Sequence, residues 1–265
     1  MSEAFERTAN LPGKGRAIAV TGGNRGIGAG IVGELARRGF TVGCLSRGGG
    51  LPEGASLGGA SSARASSGGA VMPFVCDVTD EDSIKAAIIG FAEAAGGLHG
   101  IVNNAGLFKE EKSEALSLAT FEAVMTTNAT SVMLVSREAF PHMVAAGGGG
   151  IVNIGSFWDK LGVSRNVSYC ASKAAIAAIT RCHAVEWARH GISAINVAPG
   201  YIETDMNAEH FASESTREWL RQRAPLGRPG KISDVAKLVA ALFCEDIPFM
   251  TGETIYIDGA QSITQ

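Results

Sequence analysis

Tyr169 and Lys173 lie four residues apart in a stretch whose pattern predicts a helix over 167–190. That spacing puts both side chains on one helix face, within reach of each other. An ammonium beside a phenol favours the phenolate and lowers its pKa from about 10. Such a pair suits proton transfer near neutral pH. A Tyr and a Lys at this spacing are also common on ordinary helix surfaces, so the surroundings must decide. Ser156 supplies one such surrounding. It follows the predicted strand 151–154, and its hydroxyl is placed to orient a carbonyl oxygen. The carboxyl ends of parallel strands are where α/β sheets take their ligands.

A second constellation is the turn Thr21-Gly22-Gly23-Asn24-Arg25-Gly26-Ile27-Gly28. Gly22 permits a tight turn, Gly26 lets a pyrophosphate approach the backbone, and Gly28 allows close helix–sheet packing. Unpaired N–H groups at the start of the following helix attract phosphate. The spacing is GxxxGxG rather than GxGxxG. The turn gains meaning from its place, with a strand before it and a helix after it.

These groups need a scaffold to bring them together. Short apolar runs predict strands at 17–20, 40–45, 71–76, 100–103, 151–154, 192–197 and 254–257. Helical patterns cover 27–38, stopped by Gly39, and 80–95, capped by Thr79 or Asp80. Further helices are predicted over 120–146, over 167–190 with Gly191 as the stop, and from a Ser233 cap to Cys244. Strand–helix alternation implies parallel strands with right-handed crossovers. The expectation is one α/β domain over 1–265, doubly wound, with about seven parallel strands and helices on both faces. Residues 47–70 are mostly Gly, Ser and Ala, and predict a loop or a short helix where a crossover helix is due. Residues 201–230 form a polar, charged insertion.

Apolar residues make up 46% and charged ones 18%, which excludes disorder for most of the chain. The net charge is -3 and no dense Lys/Arg cluster occurs, so a nucleic-acid partner is not expected. No uninterrupted apolar run reaches the ~20 residues of a membrane span. Residues 1–10 carry Glu3 and Glu6 without an apolar core, unlike a secretory signal. A cytoplasmic protein is expected. The five cysteines are odd in number, widely spaced and without a CxxC pair, so neither disulfides nor zinc are expected. His183 and Glu186 are three apart but have no second pair, so no metal is assigned.

In chain order, the glycine turn, Asn103-Asn104-Ala105-Gly106, Ser156, Tyr169-x-x-x-Lys173 and Pro199-Gly200 resemble the classical short-chain dehydrogenase/reductase family. The resemblance covers about residues 16–260. It implies a Rossmann-type NAD(P)-binding catalytic domain. Tyr169 would be the general acid in carbonyl reduction, or the base in alcohol oxidation. Lys173 would hold the nicotinamide ribose and depress the tyrosine pKa, and Ser156 would bond the substrate oxygen. Asn128, in Thr126-Thr127-Asn128, resembles the helix-kinking Asn that completes the tetrad by holding a relay water. Asn24, Arg25 and Ile27 join Gly22, Gly26 and Gly28 as the cofactor turn. Asp77-Val78 resembles the segment that meets the adenine, and Asn104-Ala105-Gly106 the one lining the cofactor cleft. Pro199-Gly200, Ile202 and Thr204 resemble the segment closing over the nicotinamide carboxamide. Family members pair their long helices across two-fold axes, which implies a homotetramer. Asp258-Gly259-Ala260 departs from the family pattern, where a second Gly is usual.

The cofactor choice is read at the end of the second strand. Ser46-Arg47 stand there, with no acid for a ribose 2′-hydroxyl and an Arg suited to a 2′-phosphate. Arg25 is a second cation nearby, and NADP(H) is expected. Leu107-Phe108, Phe157-Trp158, Tyr201, Met206, Phe211 and Trp219 predict a mostly apolar pocket under a lid formed by 201–230. An apolar or aromatic ketone, as a small-molecule substrate, fits that pocket. Two other functions compete. A 3-oxoacyl-thioester reductase of this family often carries basic residues before strand five and at the end of the helix bearing the Tyr. Gly147 and His190 stand there, with Arg189 adjacent. A non-catalytic NADP-binding sensor would need a broken tetrad, and Asn128, Ser156, Tyr169 and Lys173 are all present.

Overall fold

The computed structural model describes residues 11–52, 63–64, 69–204, 207, 209, 211, 213–245, 247 and 249–264. The chain opens with β1 (Ala17–Thr21), α1 (Gly26–Arg37), β2 (Thr41–Ser46), β3 (Ala63–Arg64) and β4 (Ala70–Val75). Then come α2 (Glu81–Ala95), β5 (Gly100–Asn103), α3 (Leu118–Met125), a π turn (Thr126–Thr130) and α4 (Ser131–Ala145). β6 (Gly149–Ile154), α5 (Val167–Trp187), β7 (Ile192–Pro199) and the short β8 (Ile202–Glu203) follow. The described elements end with α6 (Glu214–Arg223), β9 (Gly230–Lys231), α7 (Ile232–Cys244) and β10 (Thr254–Ile257).

Seven parallel strands lie in the order β10-β7-β6-β5-β1-β2-β4, with β3 antiparallel on the edge. The central strands β1, β5, β6 and β7 are buried on both faces, so they read as nearly continuous apolar runs. In β1, Ile18 and Val20 face α1 and α7, in a core with Leu35, Val42, Val239 and Phe243. Ala17 and Ala19 face the other way, towards α2, α4 and α5, with Ile88, Phe91, Ile101 and Met143. From β1 the chain runs outward through β2 to β4, and the connection through α2 then crosses back to place β5 on the other side of β1. That reversal opens a cleft at the carboxyl ends of β1 and β5.

Several boundaries differ from the sequence pattern. The 120–146 helix is two α-segments joined by the π turn at Thr126–Thr130. By length and composition, residues 118–145 are apolar enough to cross a membrane. Here the run packs on the sheet, with Val132, Val135, Ala139 and Met143 buried and Arg137 paired with Glu81 and Glu138. The predicted Ser233 cap is displaced: α7 starts at Ile232, and the Asp234 carboxylate accepts the Lys231 N–H at 2.9 Å. Asp80, not Thr79, caps α2, accepting the Asp82 N–H at 3.1 Å. The described part of 47–70 holds the β3 edge strand and no helix. The remainder of that segment, 53–62 and 65–68, lies outside the described residues.

Candidate active site

The glycine turn joins β1 to α1. Gly22 and Gly26 have φ of +63° and +53°, and a Cβ on Gly28 would sit 2.2 Å from the Gly22 carbonyl oxygen. A Cβ on Gly26 would meet nothing within 4 Å, so the turn is open above that residue. Arg25 is the N-cap, and no side chain caps α1. Its first N–H groups therefore remain available to an anion. Asn104 lies behind the turn. Its Nδ2 donates to the carbonyls of Thr21 and Gly22 at 3.0 and 3.1 Å. The Asn104 and Ala105 N–H groups donate to Thr21 Oγ1 at 3.0 and 3.1 Å. Asn104 thus braces the turn from behind, and a dinucleotide pyrophosphate fits the cradle in front.

At the β2 end Ser46 is buried, and its hydroxyl has no partner among the described residues. Arg47 is exposed beside it, as is Arg25. Asp77 accepts the N–H and hydroxyl of Thr79 at 2.9 and 2.7 Å. Those bonds hold its carboxyl below the usual range, and the Arg47 charge adds to the effect. Arg47 and Asp77 are therefore neighbours. Val78 is buried behind them.

The other end of the cleft is built from β6, α5 and the π turn. Ser156 is extended backbone just past β6, and its Oγ accepts the Trp158 N–H at 3.2 Å. Tyr169 stands in the first turn of α5 beside Ser156, and Lys173 lies one turn on. The charge relation differs from the expectation of a lowered phenol. Burial pushes Tyr169 up to about 12, against a hydrogen bond from Ser156 that pulls it down. Burial also brings Lys173 down to about 8. The Lys173 Nζ lies 5.5 Å from the centre of the Tyr169 ring and donates to the Ile154 carbonyl at 2.8 Å. Loss of water outweighs the attraction between the two groups.

Asn128 sits in the π turn with no exposed surface. Its Oδ1 accepts the Leu107 N–H at 2.6 Å, and its Nδ2 donates to the Leu107 carbonyl and to Ser172 Oγ at 2.9 and 3.0 Å. Ser172 Oγ donates in turn to the Tyr169 carbonyl at 2.8 Å. The Asn128 side chain therefore fastens the post-β5 segment to α5. A π turn also leaves backbone carbonyls without the usual helical partner.

Aromatic rings surround the phenol. Phe108 and Trp158 meet Tyr169 edge-on, with centroids 5.2 and 5.7 Å away. Trp158 continues to Tyr201 at 6.2 Å, and Tyr201 to Trp219 at 5.1 Å. Phe211 is instead buried in the small core of the 201–230 segment, with Leu220 and Ala224. Met206 lies outside the described residues.

The closing segment is propped by the C-terminal turn. A Cβ on Gly200 would meet Gln261 Oε1 at 2.3 Å, and that oxygen accepts the Tyr201 N–H at 3.1 Å. Pro199 ends β7, Ile202 is buried, and the Thr204 N–H donates to Asn207 Oδ1 at 2.7 Å. Ala260, where the family usually has Gly, takes φ +69°. The substitution keeps a backbone conformation that a side chain disfavours. Gln261 and Ser172 were not singled out by the sequence: Gln261 follows the last motif, and Ser172 occupies an unspecified position of Tyr169-x-x-x-Lys173.

The family model described as enoyl-(acyl carrier protein) reductase matches residues 22–260. The chain belongs to the short-chain dehydrogenase/reductase family. Enzymes of this family use nicotinamide cofactors and act on alcohol or carbonyl groups of small molecules. Cis-4-hydroxycyclohexanecarboxylate dehydrogenase of Sinomonas cyclohexanicum is 35% identical over 260 residues, covering 98% of both chains. The 3-oxoacyl-(acyl-carrier-protein) reductase of Mycobacterium tuberculosis is 33% identical over 263 residues, covering 99% of both. A short-chain dehydrogenase/reductase structure from Mycobacterium ulcerans superposes with a TM-score of 0.86 at 28% identity, covering 94% of this chain and 90% of that one. Relatives with such different substrates share the scaffold of this short-chain dehydrogenase/reductase, so substrate choice rests on the pocket itself.

Proposed function

We propose that this chain reduces apolar or aromatic ketones to secondary alcohols with NADPH. The observation that carries the reading is the shell of Phe108, Trp158 and Tyr201 around the Tyr169–Ser156 pair. Rings of this kind favour an apolar, flat ligand.

The glycine turn and the α1 N-terminus would hold the pyrophosphate of a bound nicotinamide cofactor, and Lys173 would hold its ribose; such a cofactor would supply the hydride for the carbonyl carbon. Ser156 holds the carbonyl oxygen against Tyr169. The Tyr169 O–H donates its proton as negative charge develops on that oxygen. The phenol, pushed up by burial, stays protonated at neutral pH, as an acid must. Lys173, charged below about pH 8, offsets the phenolate left behind. Asn128 keeps the π turn and the Leu107 segment in register with α5.

NADPH is favoured over NADH by the neutral, buried Ser46 and the adjacent Arg47, whose guanidinium fork suits a 2′-phosphate. The exposed apolar side chains Met133, Val144, Val167 and Val185 on α4 and α5 support a homotetramer paired through these helices. The reading includes a cytoplasmic enzyme.

NADPH absorbance decay tests the proposal with aryl ketones, alkyl ketones, sugars and 3-oxoacyl thioesters, repeated with NADH. Aryl ketones with NADPH should turn over best. The likeness to the M. tuberculosis reductase favours one second reading, and thioesters as the best substrates would install it. Tight cofactor binding with no turnover on any carbonyl would leave only the sensor.

A further inference from the structure

The segment after β5 is held at two points, and between them it carries a ring over the phenol. At the first point Asn128 bonds both the N–H and the carbonyl of Leu107, at 2.6 and 2.9 Å. At the second the Glu111 N–H donates to the Arg165 carbonyl at 2.8 Å, and Arg165 Nε meets Glu110 Oε1 at 2.6 Å. Phe108 lies between, edge-on to Tyr169 at 5.2 Å and tilted on Trp158 at 6.1 Å. Its exposure is 52%, high for a large apolar side chain in contact with two other rings.

Arg165 has φ +67°, one of two non-glycine residues with positive φ among those described. Glycine would adopt this conformation without strain. A strained residue persists when its surroundings over-determine it, and such residues gather at functional sites. Here the backbone carbonyl and the guanidinium of one residue grasp two consecutive residues of the facing segment. The ion pair is half-exposed, at 51% and 47%, so its direct contribution to stability is small. Its consequence is geometric: it fixes where Phe108 stands.

We infer that Arg165 is a positioning residue whose clasp on Glu110 and Glu111 holds Phe108 as the plate that selects a planar ring beside Tyr169. The inference rests on the ketone-reductase reading. Phe108 meets Tyr169 and Trp158 with part of its surface and leaves the rest open to a second ring. Aromatic pairs favour offset or edge-on contact at centroid distances of about 4.5–7 Å, the range already occupied by its neighbours. An alkyl chain gains less from such a plate than a ring does.

The test compares an aryl methyl ketone with a straight-chain methyl ketone of equal carbon number, in wild type and variants. Phe108→Ala should lower the aryl-to-alkyl ratio of kcat/KM about tenfold, and Phe108→Tyr should keep it within about twofold. Arg165→Ala and Glu110→Gln should each lower the ratio about threefold, mainly through the KM of the aryl ketone. The charge-swapped pair Arg165→Glu with Glu110→Arg should recover it. Hydrogen exchange of the peptide 107–112 should quicken in Arg165→Ala while the rest of the protein keeps its protection. General destabilisation would instead depress both ketones alike and quicken exchange everywhere. An unchanged ratio in Phe108→Ala overturns the plate, and unchanged ratio and exchange in Arg165→Ala overturn the clasp. If wild type reduces neither ketone, the substrate reading fails, and with it the plate. The exchange comparison then still decides whether Arg165 holds the segment.

Discussion

The two ends of the cleft hold their polar groups in opposite ways. Around Tyr169 the polar side chains are interlocked. Asn103 donates to Ser136 and Asn153, Asn153 to Thr180, Asn128 to Ser172, and Lys173 to the Ile154 carbonyl, all at 2.8–3.0 Å. Around Ser46 the buried hydroxyl has no partner among the described residues, and Arg25 and Arg47 are exposed. Buried networks of the first kind fix geometry tightly and are costly to break. Exposed cations of the second kind select by charge and are screened by salt. The chemical end should therefore respond to substitution by losing rate, and the adenosine end by changing preference.

The largest effect is expected at the phenol. Tyr169→Phe should lower turnover by about 10²–10⁴ while NADPH binding, followed by fluorescence titration, stays close to wild type. Turnover near wild type would remove Tyr169 from the proton transfer and leave the interlocked end without its acid.

Lys173 supplies a second, independent measure. Its folded pKa, about 8, lies below the 10.5 of a free lysine, so above pH 8 the unfolded chain binds more protons than the folded one. Stability contributed by this group therefore rises with pH between about 8 and 10, by roughly 2–3 kcal/mol at most. Denaturant titrations should show that rise in wild type and its absence in Lys173→Met. Reduction should run the other way, losing rate above pH 8 as the ammonium that offsets the phenolate loses its proton. A flat stability difference between the two proteins across this range would mean that Lys173 is solvated.

The contrast also explains what could be read in the sequence. The glycine turn, Ser156 and the Tyr169–Lys173 spacing are local patterns placed by strand ends, so the sheet and the constellation were both legible. The direction of the phenol's shift was not. It depends on Phe108 and Trp158, 61 and 11 residues away in the chain, and on Lys173 turning to the Ile154 carbonyl. The π turn was half legible: Asn128 marked a kink, but the apolar stretch on either side of Thr126–Thr130 passes for one helix from 118 to 145. The β3 edge strand lies in a Gly/Ser-rich stretch with no alternation to reveal it, and the left-handed φ of Ala260 is not what an alanine leads one to expect.

At the adenosine end the effects are smaller and change sign with the cofactor. Charge-assisted bonds contribute roughly 1.5–3 kcal/mol, about one to two decades of preference. Wild type should favour NADPH over NADH by about tenfold or more in kcat/KM, and Arg47→Ala should erode that margin. Ser46→Asp should reverse it, because the new carboxylate would repel a 2′-phosphate and accept from a ribose hydroxyl. Equal efficiency with both cofactors in wild type would mean that Arg47 serves Asp77 alone.

The smallest effect is also the sharpest test of the comparison. Arg25 is the N-cap of α1, where a cation opposes the helix dipole and its side chain caps nothing. For the helix alone a serine would be better, since its hydroxyl would accept a first-turn N–H. Arg25→Ser should therefore raise stability by about 0.5–1 kcal/mol. If Arg25 meets the cofactor phosphates, the same change should raise the KM for NADPH about two- to fivefold, the scale of an exposed charge contact. The penalty should shrink as salt is raised from low to about 0.3 M, because the Debye length then falls below 10 Å. NADH should feel it less, having no 2′-phosphate. A gain in stability with no change in either KM would show that Arg25 faces solvent. Selectivity at this end would then rest on Ser46 and Arg47 without it.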